Sequence, residues 1–418
     1  MRLVSYLLLT FVLMVTLFIV TSTDSAEGSG AIDPEPNIQA ASAINAFAVD
    51  VYKQLAAEGG NIFFSPYGIS SVMAIAYAGA RGDTAAEMAK VLHFTEYRSG
   101  IHAAMKSLHD RINAITGETG AFNVANRLWL DNREGLISEY SALVETNYNV
   151  NVASASFFDA YEKTRLEINE WMAQNTRNTI TDLLQPGEVT AISKLILANT
   201  VYFNLTWQEP FDKSLTGEEP FRISENEERS VLMMRRTGNF YYGENFDAQW
   251  IKVPYSVPGF SMIIFLPREN ESFTQLEELE KKLTPSAMDS WISDMQYYTV
   301  EFSIPKFNDK SRFHLVELLQ KLGMNIAFDW RKADFSGMVE EPRVNNFALC
   351  ISDAIHQSFI SLDEDKTEAA VGADFAHESI PHNLDSNSNI QFRVGHPFIY
   401  CVTDDTGAIL CMGRFTNP

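Results

Sequence analysis

Apolar residues recur along this chain in two periods. Ile44, Phe47, Ala48, Val51 and Leu55 fall at helical spacing, and Gly59-Gly60 stop that helix. Ile69 to Ala80 is almost wholly apolar, which predicts a helix buried on most sides. Thr84-Ala85-Ala86-Glu87 has the form of a capping box and predicts a helix start running through Val91. The later half changes to strand character. Leu195 to Phe203 is β-rich and nearly continuous, as expected of a strand covered on both faces. Ser261 to Leu266 predicts another core strand, and Val300, Phe302 and Ile304 alternate up to Pro305. Leu315 to Leu322 reads as a helix stopped by Gly323. Ile399 to Leu410 reads as a hairpin turning at Asp404-Asp405-Thr406-Gly407. No linker or composition break divides residues 40–418, so one large α+β domain is expected.

The N-terminus has a different pattern. Met1-Arg2 precedes an apolar run from Leu3 to Val20, and small residues follow up to Ala26. That predicts a secretory signal over residues 1–26, with an uncleaved membrane anchor as the alternative. Residues 27–39, rich in Gly and Pro at first, are expected to be a flexible lead-in. Two sequons, Asn204-Leu205-Thr206 and Asn270-Glu271-Ser272, agree with a secreted, extracellular glycoprotein. In that compartment Cys401 and Cys411 matter, because a turn centred near Thr406 would place their sulfurs opposite each other. They would then be a disulfide or two buried thiols. The remaining cysteine is Cys350.

The 418 residues carry 54 acidic and 32 basic side chains, a formal charge of −22. Such a field repels phosphate backbones and anionic membranes, so neither nucleic acid nor a lipid surface is expected as a partner. A retained N-terminal anchor would be the one membrane contact. No nucleophile elbow, zinc-protease helix, phosphate loop or dinucleotide fingerprint occurs. Neither catalysis nor a metal or cofactor is expected. Arg81-Gly82-Asp83, an integrin-type tripeptide, falls in the turn between two helices and reads as structural.

Residues 363–391 stand apart as a long polar stretch between two apolar segments, and loops of that length are usually functional or disordered. Thr367, Ala369, Val371, Ala373, Phe375, His377 and Ser379 share one parity. The acidic side chains between Thr367 and Ile380 all fall on the other. This is strand alternation written into a loop, which would suit a half-buried strand if a sheet opened to accept it.

Several separate motifs run in order along the chain: Asn61-Ile62-Phe63-Phe64-Ser65-Pro66, Gly79-Ala80-Arg81-Gly82-Asp83-Thr84, Leu197-Ala198-Asn199-Thr200-Val201-Tyr202-Phe203 with Trp207, and Ala333-Asp334-Phe335-Ser336-Gly337. His356, Thr367-Glu368-Ala369-Ala370, His396-Pro397-Phe398 and Gly413-Arg414-Phe415-Thr416-Asn417-Pro418 complete the set. Through these motifs the chain resembles the serpins over residues 40–418. The resemblance implies about nine helices around three β-sheets, an exposed reactive-centre loop, and covalent trapping of a serine protease by loop insertion. Inhibition of a cysteine protease would share that mechanism. It implies a hinge at Thr367 to Ala370, a shutter of Ser65, Asn199 and His356 under the central strands, and a breach at Trp207.

Three departures stand out. Lys366 occupies a hinge position that is usually Gly, Gly68 a shutter position that is usually Ser, and Gly395 a position that prefers Asp or Asn. The Gly68 departure implies a missing shutter bond. Counting from Thr367 places the scissile bond at Ile380-Pro381, with Ser379-Ile380 as the alternative. No Lys or Arg lies between Lys366 and Arg393, so an elastase- or chymotrypsin-like target is expected rather than a trypsin-like one. No basic helix suited to heparin appears, and a monomer is expected. The competing expectation is a non-inhibitory member acting as a carrier, ligand-binding or chaperone-like protein.

Overall fold

The computed structural model describes residues 34–97, 100–116, 122–176, 181–203, 205–269, 274–340, 343–344, 347–364 and 390–418. The helices among them are α1 (Pro34–Ala56), α2 (Pro66–Gly79), α3 (Gly82–Val91), α4 (Ile101–Thr116), α5 (Ser138–Tyr148), α6 (Phe157–Asn175), α7 (Gln275–Lys282), α8 (Pro285–Ser293) and α9 (Leu315–Lys321). The strands of the first half are β1 (Ile62–Phe64), β2 (Phe122–Asp131), β3 (Ala153–Ala155), β4 (Leu195–Phe203), β5 (Gly217–Ser224), β6 (Glu227–Glu244), β7 (Ala248–Pro254) and β8 (Ser261–Pro267). Those of the second half are β9 (Gln296–Pro305), β10 (Phe307–His314), β11 (Arg343–Val344), β12 (Phe347–Ala348), β13 (Asp353–Leu362), β14 (Ile390–Arg393), β15 (Phe398–Thr403) and β16 (Ile409–Phe415).

A five-stranded sheet in the order β10-β13-β4-β2-β3 positions the candidate site. Its β10·β13 and β4·β2 neighbours are antiparallel, whereas β13 and β4 run parallel side by side. Helix α2 packs beneath these strands, and its residues are buried from Pro66 to Ala76. That is the expected outcome for an apolar run with no polar stripe. Strand β4 occupies Leu195–Phe203 as expected, and Leu195 to Val201 are all buried.

The other strands form a nine-stranded sheet, in which β5 also pairs with β6, and a separate ribbon of β11 and β12. The 18-residue strand β6 pairs with β5, β7 and β9. It thereby joins strands that would otherwise make two sheets, so a third large sheet is not separate among the described residues.

Three expectations change. Helix α1 begins at Pro34, so residues 34–39, expected in a flexible lead-in, form its first turns. Proline is tolerated in a first helical turn, where its missing N–H has no partner to lose. Helix α3 begins at Gly82, with Thr84 inside it rather than capping it. Thr84 Oγ1 instead accepts from the Asp334 N–H, and the Glu87 carboxylate accepts from the N–H groups of Asn325 and Ile326. The two capping groups are thus used between segments, not within one.

The hairpin settles the cysteines. Thr403 pairs with Ile409, but Val402 pairs with Cys411 and Cys401 with Met412. The extra residue is Leu410, a β-bulge that shifts the register by one. A one-residue shift sends a side chain to the opposite face. Cys401 and Cys411 therefore point to opposite faces of the sheet, and both are buried free thiols.

Candidate functional site

The parallel neighbours β4 and β13 place Asn199 directly beside His356. Beneath them, Ser65 caps α2 because its extended backbone lets the hydroxyl accept the Gly68 N–H at 3.0 Å. The same hydroxyl donates to the carbonyl of Leu410, the extra residue of the bulge. The Ser65 N–H donates to His356 Nε2 at 3.0 Å, so the ring proton resides on Nδ1. His356 Nδ1 then donates to Asn199 Oδ1 at 2.6 Å. Asn199 Nδ2 donates to Asn126 Oδ1 at 2.6 Å, and Asn126 Nδ2 donates to Ser71 Oγ at 2.9 Å.

The result is a belt of side chains that leaves α2 at Ser65, crosses β13, β4 and β2, and returns to α2 at Ser71. Burial holds the His356 pKa down to about 3, so the ring is neutral and can serve as donor and acceptor at once. The His356–Asn199 bond spans the line along which β4 and β13 would part. Ser358 adds a further tie, donating to the Phe63 carbonyl at 2.8 Å.

Gly68 belongs to this arrangement through the space it leaves. A Cβ at this position would lie 2.5 Å from Asn199 Oδ1 and 2.9 Å from its Nδ2. The room a serine would use is filled by the Asn199 amide, which makes its own bonds. The implied loss of a shutter bond is therefore offset from β4.

At the far end of β13, Trp207 stacks on Tyr255 with ring centroids 4.7 Å apart. Its Nε1–H donates to the Asp363 carbonyl at 3.0 Å. The Phe211 N–H donates to the Glu364 carbonyl at 3.1 Å, and Lys306 pairs with the Glu364 carboxylate at 2.5 Å. The chain leaving β13 is thus tied to the segment that follows β4.

Ser65, Gly68, Asn199 and His356 meet at one place, and Trp207 lies apart from them at the end of β13. The hinge residues Lys366, Thr367, Glu368, Ala369 and Ala370 lie outside the described residues, as do Ser379, Ile380 and Pro381. The same holds for Asn204, Asn270 and the expected signal over residues 1–26. Asn126, Ser71 and Ser358 were not singled out from sequence. The available signal was weak: a serine in an otherwise apolar helix, and an asparagine within a β-rich run.

The chain matches the family model described as Serpin (serine protease inhibitor) over residues 42–418. It is 36% identical over 387 residues to Serpin B6 of Pongo abelii, covering 90% of this chain and 99% of that protein. It is also 36% identical over 381 residues to the leukocyte elastase inhibitor of Equus caballus, covering 89% and 97%. Among solved structures, a tumour-suppressing serpin matches with a TM-score of 0.80 at 28% identity, over 91% of this chain and all of that one. Uncleaved ovalbumin matches with a TM-score of 0.78 at 26% identity, over 91% of this chain and all of that one.

Proposed function

The chain belongs to the serpin family, and we propose that it inhibits serine proteases as a suicide substrate. Its segment 363–391 is cut by the target, and the freed strand enters the central sheet while the protease is still attached as an acyl-enzyme. Insertion of this kind is established behaviour for serpins. One observation carries the proposal for this chain. The parallel pair β4·β13 lies between antiparallel pairs, and the segment leaves the C-terminal end of β13. A strand folding back between the two would be antiparallel to both, completing an antiparallel run from β10 to β2.

The energetics favour that outcome. Seven registered pairs join β4 to β13, and insertion replaces this ladder with two antiparallel ones. About a dozen added hydrogen bonds at roughly 0.5–1.5 kcal/mol each are comparable with the whole stability of a typical domain. The two parities of residues 367–380 suit a strand that turns one face inward. The belt through His356 and Asn199 holds the sheet closed until cleavage.

The absence of Lys and Arg between Lys366 and Arg393 supports an elastase- or chymotrypsin-like target. The leukocyte elastase inhibitor among the relatives agrees with this preference. Ile380-Pro381 is the counted scissile bond, with Ser379-Ile380 the chemically easier alternative. The N-terminal pattern and the sequons support a secreted, glycosylated protein. N-terminal sequencing and glycosidase treatment of protein from a secreting cell test both. A second reading, a carrier or ligand-binding member, draws on Lys366 at the hinge and Pro381 beyond the counted bond.

Incubation with pancreatic elastase, chymotrypsin and trypsin separates the two. The first reading expects a complex that survives denaturing electrophoresis with elastase or chymotrypsin and none with trypsin. Cleavage by all three without such a complex overturns it.

A further inference from the structure

A cleft of about 520 Å³ lies beside β2, away from the β4·β13 line. It exists because, among the described residues, β3 pairs with β2 only at Trp129–Asp131 and no other strand lies beside the earlier part of β2 on that side. Helix α4, the turn after α5 and the end of α6 close the other sides. The walls include six asparagines, at positions 113, 123, 126, 149, 151 and 175. No aspartate or glutamate lines it, in a chain with 54 acidic residues.

Arg127 is the one arginine or lysine of the lining. Its guanidinium lies 5.5 Å from the ring centres of both Trp129 and Trp171, which meet edge to face at 5.3 Å. These indoles hold the cation by its faces, and among the described residues its N–H edge meets no anion. Burial alone moves its pKa, downward, with no carboxylate acting on it. His109, the other titratable nitrogen base of the lining, is also lowered by burial and is engaged by Tyr67 and Asn113. A partly desolvated cation with no counter-charge among the described residues is an incomplete arrangement, because such groups in proteins are ordinarily paired. An oxyanion completes it, since the guanidinium fork matches carboxylate and phosphate geometry.

We propose that this cleft binds a small polar ligand bearing one carboxylate or phosphate group, with the oxyanion on Arg127 and the amides of Asn149 and Asn151, together with the amide oxygens of Asn113, Asn123 and Asn175, on the ligand's neutral polar atoms. The volume suits a small molecule rather than a lone ion. The amide lining, mainly as acceptors because the Nδ2 groups of Asn113, Asn123 and Asn175 are already bonded, carries no charge, so selectivity for a single anionic group follows.

Tryptophan fluorescence of the full chain tests this, because Trp129 and Trp171 touch Arg127. Benzoate and phenyl phosphate are titrated against benzamide as the neutral counterpart. The expected result is a saturable signal with at least one anion, at least tenfold weaker binding of benzamide, and at least tenfold loss of anion affinity in Arg127→Met. The relative response to benzoate and phenyl phosphate tells which oxyanion is preferred. If Arg127→Met does not fold, Asn151→Asp places a carboxylate on the exposed part of the wall and should weaken the anion at least threefold. No saturable response to either anion, an equal response to benzamide, or unchanged affinity in the folded variant overturns the proposal.

Discussion

Replacing Gly68 with alanine sets two effects of opposite sign against each other. Gly68 sits in the first turn of α2, where glycine is a poor helix former by about 1 kcal/mol relative to alanine. Against that gain stands the Asn199 amide. The new Cβ would lie 2.5 Å from Oδ1, 2.9 Å from Nδ2 and 2.9 Å from Val201 Cγ2. Restoring a separation of about 3.5 Å requires the amide to move by about 1 Å. Asn199 is fully buried, and both its bonds, to His356 and to Asn126, are 2.6 Å long. A displacement of that size stretches them beyond hydrogen-bonding range. Each buried polar group left unpaired costs about 1–3 kcal/mol. Losing both bonds therefore outweighs the helix gain and leaves Gly68→Ala less stable by about 1–5 kcal/mol. At about 2.1 cal/mol/K of unfolding entropy per residue, Tm falls by about 1–6 °C. Calorimetry and urea unfolding of Gly68→Ala, Asn199→Ala and the double variant provide the check. In the Asn199→Ala background only the 2.9 Å approach to Val201 Cγ2 remains, so Gly68→Ala should there be less destabilising than in the parent by about 1 kcal/mol or more. A rise in Tm for the single Gly68→Ala variant, or the same effect in both backgrounds, refutes the reasoning.

Further outcomes follow from the same contacts. His356 stays neutral in the folded state down to about pH 3, whereas an unfolded histidine protonates near 6.5. The unfolded state thus takes up the extra proton, and stability is lost as pH falls from about 6.5 toward 3, by up to about 1.4 kcal/mol per pH unit. His102, lowered to about 4, acts with the same sign over a narrower window. Urea midpoints between pH 7 and 4 should fall less steeply for His356→Gln than for the parent, and an unchanged slope would remove His356 from the account. Cys401 and Cys411 should both titrate as thiols after denaturation without reductant, together with Cys350. A mass two hydrogens lower and two missing thiols would contradict the bulged register. Trp207→Phe keeps the stack on Tyr255 but removes the donor to Asp363, and should lower stability by about 1 kcal/mol. Faster amide exchange at the end of β13 should accompany it, and unchanged exchange there would show that this contact does not hold the strand.

Strands and buried helices were legible wherever burial on both faces left no room for polar residues. Leu195–Phe203 and Ser261–Pro267 became strands at their expected positions, and the apolar run beginning at Ile69 became most of α2. Local signals misled where a tertiary contact could claim the same group. Thr84 and Glu87 have capping spacing, yet each serves a backbone distant in sequence. Pro34 and Pro36 look like breakers but are compatible with the first turn of a helix. Of the two readings open for Cys401 and Cys411, the two buried thiols remain, and the opposed sulfurs miss by one residue, because nothing local announces that Leu410 is extra. Its carbonyl is bonded by Ser65, 345 positions away in the chain. The candidate site was half legible. Ser65, Asn199 and His356 came from family motifs, whereas Asn126 and Ser71 emerge only when β2 is laid beside β4 above α2.

The central claim is that the segment after β13 enters between β4 and β13 once cut. The most direct measurement compares the thermal unfolding of intact protein with that of protein nicked once within residues 374–384, and it needs no knowledge of the target. A new central strand replaces the β4·β13 ladder with two antiparallel ones, so the nicked form should melt far above the intact one. An unchanged or lowered melting temperature after a single verified cut would mean that the strand stays out, and the inhibitory mechanism would then not apply to this chain.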